Sequence, residues 1–183
     1  EQYLTQDAVV VIALGAAAKE HGPHMRLNND FVMAEYLKAR VMEATDVVVA
    51  PTISYHYYPA FLEYPGSTHL QFETARNIIN DIIRSLANYG PRRFYIINTG
   101  VSTLRPLKAS AGDLREDGIL LQFTDILTVA KEIEDTVREQ MYGPHADELE
   151  TSMMLYIAPN RVDMEKAVKE DRPWNIGRLT RKP

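Results

Sequence analysis

The sequence predicts an α/β protein of three layers, in which a mostly parallel sheet is flanked by helices. Two observations predict this class. Short apolar segments rich in β-branched residues alternate along the chain with longer segments whose apolar residues recur at helical spacing. The strand-like segments are apolar throughout, as strands covered on both faces are. Such alternation is typical of parallel sheets joined by crossover helices.

Each element follows from its local pattern. The predicted strands are residues 8–14, 46–51 and 93–98, with one or two more within 118–129. The first two of these segments are apolar runs, which predicts that they are buried. The predicted helices are residues 31–43, 73–89, 104–111, 131–140 and 149–158. The helix at 73–89 has the clearest apolar face, and Gly90 and Pro91 end it. A tyrosine-rich, irregular stretch occupies residues 53–70.

Composition limits the classes of function. A chain of 183 residues with 45% hydrophobic residues can bury one core, so we expect a single domain over residues 1–183, with the polar residues 160–183 as a surface tail or an oligomer contact. A net charge of −5 argues against nucleic acid as a partner. No apolar run approaches the roughly 20 residues of a membrane span. The chain has no Cys, so a metal site would use histidine and carboxylate ligands.

The first apolar run superficially resembles a signal peptide. It lacks a basic segment before it and has Glu1 and Asp7 instead, so we interpret it as a buried strand. We expect a cytoplasmic protein by default. A periplasmic location would follow if a signal segment had been trimmed from this chain, which begins without Met.

The segment KEHGPHMRLNND at residues 19–30 follows the first predicted strand. It contains Glu20, His21, His24 and Asp30, whose side chains are of the kinds that bind Zn²⁺ or Mn²⁺. Ligands of parallel α/β sheets bind at the carboxyl ends of the strands, which is where this segment lies. Structural roles are the alternative: Asp30 could cap the next helix, and His24 could satisfy backbone groups of the loop.

Two later segments carry further polar groups. Residues 145–152, HADELETS, place His145 before an apolar helix whose first turn contains Asp147 and Glu150; this pattern indicates a capped helix start or a contribution to a site begun elsewhere. The loop NTGVST at residues 98–103 could offer backbone N–H groups and the hydroxyl of Ser102 or Thr103 to an oxyanion, or it could be a plain turn. The chain has no Walker motif, dinucleotide fingerprint or G-x-S-x-G elbow.

Three ordered motifs resemble those of the creatininase (creatinine amidohydrolase) family. LGAAAKEHGPHMRLNND is similar to the family's E-Q-H-G-P-H-L-P-L followed by Thr-Asp. Residues 64–67, YPGS, resemble its Y/F-P-G-S/T turn, and HADELETS resembles its H-A-x-x-x-E-T-S, with a strand ending in Asn98 between them. The resemblance covers residues 8–160 and implies a creatininase-like fold, a metal centre, hydrolysis of a non-peptide or cyclic amide C–N bond, and a hexamer.

The resemblance also implies roles for individual residues. His21 and Asp30 correspond to metal ligands, the aspartate bridging two ions, and His145 and Glu150 correspond to catalytic or ligating groups. The chain departs from the family pattern at Lys19, where the family has Glu, and in NTGVST, which replaces N-G-H-G-G-N and removes its imidazole. A single ion is therefore the more cautious expectation.

We thus predict a metal-dependent amidohydrolase acting on a small-molecule amide, with one or two Zn or Mn ions per subunit. The predicted metal ligands are Glu20, His21, Asp30 and Glu150, and the predicted catalytic residues are His145 and Glu150. The predicted substrate-binding residues are His24, Thr99, Gly100, Ser102 and Thr103. One alternative is a non-catalytic binding or assembly protein with a degenerate metal site. Another is a hydrolase of a modified peptide or a formamide.

Overall fold

Four parallel strands form the centre of the molecule in a computed structural model that describes residues 3–141 and 145–169. The strands are β1 Val9–Leu14, β2 Val48–Ile53, β3 Arg93–Asn98 and β4 Leu120–Phe123. Their order is β2-β1-β3-β4, and all three pairings are parallel. The chain runs outward from β1 to β2 and then crosses back to β3. The loop after β1 therefore leads to one side of the sheet and the loop after β3 to the other. Parallel sheets form ligand sites in the crevice between two such loops.

Five helices accompany the sheet within the described residues. They are α1 Asn29–Ala44, α2 Phe72–Ala87, α3 Leu104–Glu116, α4 Lys131–Val137 and α5 Glu148–Ile157. Single 3-10 turns lie at Pro59–Phe61, Pro159–Arg161 and Met164–Lys166. None of the helices in residues 3–141 and 145–169 is long and apolar enough to cross a membrane.

The helices cover both faces of the sheet, because successive residues of each strand point to opposite sides. Val10, Ile12 and Leu14 of β1 pack with the apolar stripes of α2 and α3. Val11 and Ala13 point the other way and pack with α1. The predicted three-layer α/β fold with a mostly parallel sheet is thus confirmed.

Several predicted boundaries were wrong. Residues 118–129 contain one short strand, because an Asp125 turn, in which the Asp125 carboxylate accepts from Leu127 N–H, ends the extended chain after β4. The strand predicted to be buried at 46–51 lies at residues 48–53, and it is only half-buried because it is a sheet edge. α3 continues to Glu116, beyond the predicted end at residue 111, and α4 ends at Val137 rather than at residue 140.

The helices α1 and α5, which both contribute residues to the site, differ in how their first turns are capped. Asp147 caps α5 as predicted, with its side chain accepting hydrogen bonds from the backbone N–H groups of Leu149 and Glu150. Asp30 does not cap α1. Asn28 precedes that helix, and Asp30 lies inside its first turn with a buried carboxylate. Of the predicted tail at 160–183, residues 170–183 lie outside the described residues.

Candidate metal centre

The polar residues predicted from three separate segments meet at the carboxyl ends of β1 and β3. The loop after β1 brings His21, the first turn of α1 brings Asp30, and the start of α5 brings His145 and Glu150. The ring centroids of His21 and His145 are 4.8 Å apart. Residues distant in sequence therefore share one site because the loop after β1 contacts the segment that leads into α5.

His21 is fixed by two hydrogen bonds. Its side chain is fully buried, its Nδ1 lies 2.9 Å from the Lys19 carbonyl oxygen, and its Nε2 lies 2.7 Å from Asp30 Oδ1. Because a carbonyl oxygen can only accept, Nδ1 is a donor. Nε2 is then the nitrogen that faces the site, and a carbonyl partner of this kind fixes the orientation of a metal-binding imidazole.

Asp30 is a buried carboxylate between two partners. His21 approaches Oδ1, and Lys19 Nζ lies 2.6 Å from Oδ2. Complete burial alone would raise the pKa of Asp30, but the charges and hydrogen bonds of His21 and Lys19 outweigh it and hold this pKa far below its ordinary value. The carboxylate is therefore ionised, and it is a fixed negative charge at the base of the site.

His145, like His21, is oriented by a hydrogen bond to a backbone carbonyl group. Its Nε2 lies 2.6 Å from the backbone carbonyl oxygen of Glu20, so this nitrogen donates, and in the neutral imidazole Nδ1 carries the lone pair. Nδ1 lies 3.6 Å from Glu150 Oε2. The ring of Phe61 covers the imidazole, with its centroid 4.2 Å away. Ala146 has φ of +51°, a conformation uncommon for residues other than glycine, and this turns the chain between His145 and α5.

Glu20 lies at the edge of this arrangement. Its Oε1 accepts a hydrogen bond from the Gly22 N–H at 2.6 Å, and its Oε2 lies 3.3 Å from His145 Nε2. Partial burial raises the pKa of Glu20, but the hydrogen bond and charge of His145 bring it below the ordinary value overall. Glu20 is therefore an ionised carboxylate close to the two imidazoles.

Within the described residues, one group of side chains has the geometry of a metal site. His21, His145 and Glu150 each offer one ligand atom, and these atoms lie within 4.8 Å of one another. Ligands of a single Zn²⁺ ion, at about 2.0–2.2 Å each, lie no more than about 4 Å apart, so small side-chain shifts would close the site. Two histidines and one glutamate form a donor set found in catalytic zinc sites. The residues present fit one divalent ion.

The predicted ligands and this group overlap only in part. Glu20 and Asp30, both predicted as ligands, lie next to the group and not in it. His145, predicted as a catalytic residue, is a member. No local pattern indicates which nitrogen of His145 faces the site, because that depends on a carbonyl 125 residues away.

Two of the predicted substrate-binding residues, Thr99 and Thr103, use their hydroxyl groups within the protein. The hydroxyl of Thr99 lies 3.1 Å from the carbonyl oxygens of Leu14 and Asp30, and that of Thr103 lies 2.6 Å from Asn98 Oδ1. Both hydroxyls are buried and are used to fix the loop. The loop is therefore a tightly bonded turn whose threonine hydroxyls are engaged within the protein.

Of the other predicted substrate-binding residues, one faces open space. His24 is buried, with Nε2 2.8 Å from Thr151 Oγ1, and it joins the first loop to α5. Gly100 is packed against Thr103, whose Oγ1 would be 3.0 Å from an added Cβ. Ser102 is half-buried and lines the cavity of the site. Ser102 is thus the member of this set best placed to meet a ligand.

A small cavity of about 30 Å³ lies beside the metal group. His145 and Glu150 line it together with Ser102, Lys19 and Phe61. The sequence identified Lys19 only as a departure from a family motif and Phe61 only as part of a tyrosine-rich stretch. Neither residue carries a local pattern that indicates a site, so the folded loop was needed to place them.

Fold and site together define a class: an open parallel α/β protein with a histidine-carboxylate centre at the carboxyl ends of its strands. The sequence profile of the creatininase family, described as creatinine amidohydrolase, matches residues 1–179. The chain belongs to the creatininase family.

Sequence similarity to two enzymes supports this assignment. The creatinine amidohydrolase of Pseudomonas putida is 28% identical over 88% of this chain and 69% of its own length. A 2-amino-5-formylamino-6-ribosylaminopyrimidin-4(3H)-one 5'-monophosphate deformylase of Methanothermus fervidus is 30% identical over 87% of this chain. The chain spans 62% of the length of that deformylase.

Solved structures agree in fold. A crystal structure of creatinine amidohydrolase (creatininase) superposes with a TM-score of 0.73 at 28% identity, covering 90% of this chain and 70% of that one. Further creatininase structures that match are described as a mutant of Zn-Zn type and as creatininase Mn.

Proposed function

We propose that this protein is a metal-dependent amidohydrolase that cleaves a non-peptide or cyclic amide C–N bond. The observation that carries the proposal is the convergence of His21, His145 and Glu150. The names of its relatives support the reaction class, because a creatinine amidohydrolase and a deformylase both act on C–N bonds. Creatininases described with Zn and Mn support the choice of ion.

In this proposal His21, through Nε2, His145, through Nδ1, and Glu150 hold one Zn²⁺ or Mn²⁺ ion. Such an ion activates water at neutral pH and polarises the carbonyl group of the amide. Binding at His21 Nε2 would require that nitrogen to give up the proton it shares with Asp30, which would leave Asp30 Oδ1 without that donor. Metal binding should therefore release protons.

The remaining groups supply proton transfer and positioning. His145 was predicted to move the proton, but its Nε2–H is held by a backbone carbonyl and its Nδ1 faces Glu150, which favours ligation. We assign proton transfer to the ionised carboxylate of Glu20, which lies outside the donor group. Water adds to the carbonyl carbon, the C–N bond breaks, and Glu20 passes the proton of water to the leaving nitrogen. Ser102 offers a hydroxyl to the substrate.

The test uses protein freed of metal by chelation and then dialysed against ZnCl₂ or MnCl₂. A panel of amides containing creatinine, other cyclic amides and N-formyl amines is assayed with and without metal. We expect turnover only with metal, and a loss of at least about a thousandfold in His21→Ala and Glu150→Gln. Glu43→Gln, at an exposed position of α1, is the control and should behave as wild type. Turnover by the metal-free protein would contradict the proposal.

The non-catalytic alternative is favoured by one observation, the small volume of the cavity. A space of about 30 Å³ accommodates about one or two water-sized groups and not an amide substrate. If this alternative holds, the protein purified without added ions contains no metal, and it hydrolyses no member of the panel with or without added metal.

A further inference from the structure

Lys19 places a positive charge in the interior of the site. Its side chain is nearly buried, and Nζ lies 2.6 Å from Asp30 Oδ2. The rings of Tyr58 and Phe61 lie 5.9 and 5.6 Å from Nζ. A carboxylate and two aromatic faces are partners that stabilise an ammonium group removed from water.

The position of Lys19 decides what else Asp30 can bind. Lys19 occupies Oδ2, and His21 occupies Oδ1 as long as its Nε2 holds no ion, so at most one oxygen of Asp30 is available to a cation while Lys19 stays in place. An ammonium in contact with the carboxylate also repels a cation that approaches it, and this repulsion is strong away from water. Asp30 is therefore not arranged to bridge two metal ions.

The charges of the cluster agree with a single ion. Glu20, Asp30 and Glu150 supply three negative charges, and Lys19 supplies one positive charge, so the cluster has a net charge of two minus when both histidines are neutral. One divalent ion neutralises this charge. Two divalent ions would leave an excess of two positive charges in a largely buried site, which is unfavourable.

We propose that the Lys19 ammonium takes the place of a second metal ion in this centre. It limits the centre to one metal ion and supplies the positive charge that a second ion would bring. This inference rests on the proposed function and deepens it. Lys19 also lines the small cavity, next to Ser102. Within residues 3–141 and 145–169, Asp30 is the carboxylate that pairs with Nζ, and the ammonium also lies near the two aromatic rings and borders the cavity. The oxygen of a bound amide can accept a hydrogen bond from this ammonium.

The experiment measures metal stoichiometry and affinity by equilibrium dialysis against MnCl₂ with elemental analysis. The wild type should saturate at one ion per chain. Lys19→Gln, which removes the charge but can still donate to Asp30, should bind the ion at least about tenfold more tightly, because one repulsive charge is gone. Lys19→Arg keeps the charge and is the control for it; a guanidinium differs from an ammonium in shape and hydration, and the expected result is that this variant does not show the gain in affinity of Lys19→Gln.

The outcomes separate this inference from the proposed function. Two ions per chain in the wild type would overturn the role of Lys19 and leave a metal hydrolase intact. Equal affinities in wild type and Lys19→Gln would overturn it as well. No ion in the wild type would overturn both. Circular dichroism shows whether Lys19→Gln is folded; if it is not, the wild-type stoichiometry and a comparison with Lys19→Met still decide.

Discussion

Glu20 and His145, 125 residues apart in sequence, contact each other through both backbone and side chain. His145 Nε2 lies 2.6 Å from the Glu20 carbonyl oxygen and 3.3 Å from its carboxylate. The neighbouring carbonyl of Lys19 holds His21 in the same way. Two successive carbonyl groups thus fix two imidazoles and leave one nitrogen of each directed to the same point. The loop after β1 is therefore the framework of the centre as well as a source of its side chains.

Replacement of Glu20 by Gln distinguishes a ligand from a proton-transfer group. The backbone carbonyl that orients His145 is unchanged in Glu20→Gln, so metal affinity should fall by no more than about a hundredfold, as for groups outside the ligand set. Turnover should fall by at least about a hundredfold, because the base is lost. Calorimetric titration with MnCl₂ and steady-state kinetics measure the two effects.

Glu150→Gln is the comparison for this variant. It removes a member of the donor group, so metal affinity itself should fall, by more than in Glu20→Gln. If Glu20→Gln lost affinity as severely as Glu150→Gln, Glu20 would be a ligand, as the sequence predicted, and our assignment of proton transfer to it would be wrong.

Gly15 sets the distance between β1 and the first turn of α1. A Cβ at this position would overlap the carbonyl oxygen of Asp30 and lie 2.8 Å from Ala34 Cβ, so the helix would have to move. We expect Gly15→Ala to lower the free energy of unfolding by about 1–3 kcal/mol and to weaken metal binding, because Asp30 moves with α1. Urea denaturation and metal titration test both effects.

Gly112→Ala is the matched control for this glycine. Gly112 lies within α3, and an added Cβ there would meet nothing within 4 Å. Alanine should stabilise the helix by up to about 1 kcal/mol and leave metal binding unchanged. Opposite signs of the two glycine substitutions are expected; two destabilising substitutions would contradict the packing argument.

His56 should make stability depend on pH. It is completely buried, with Nε2 3.1 Å from the Ala75 carbonyl oxygen, and burial lowers its pKa to about 4 although that hydrogen bond raises it. Between pH 4 and 6.5 the unfolded chain binds a proton that the folded protein does not. The free energy of unfolding should therefore decrease as pH falls through this window, by roughly 3 kcal/mol from this residue.

Urea denaturation at pH 7 and pH 5 measures that dependence. His56→Gln keeps a donor for the Ala75 carbonyl but does not titrate, so its free energy of unfolding should change less between the two values. His24 and His69, whose pKa values burial also lowers, contribute equally to both proteins. An identical pH dependence in the two proteins would show that His56 is not protonated on unfolding in this range.

Local patterns predicted the layered α/β fold well. β1 and β3 lie within one residue of their predicted limits, because an apolar run buried on both faces has a strong signal. The half-buried edge position of β2 and the early end of β4 were missed. Both depend on strand order and on the turn at Asp125, which no periodicity records.

The sequence by itself determined the chemistry that is available: three histidines and several carboxylates, without cysteine, on the segment after the first strand and at the start of the last long helix. Only the tertiary structure decided how these groups are used. It joined His145 to His21, set Glu20 and Asp30 beside the donor group, and placed the Lys19 ammonium against Asp30. The reason is physical: ligation depends on distances of a few ångströms between atoms distant along the chain, and on which ring nitrogen a backbone carbonyl occupies.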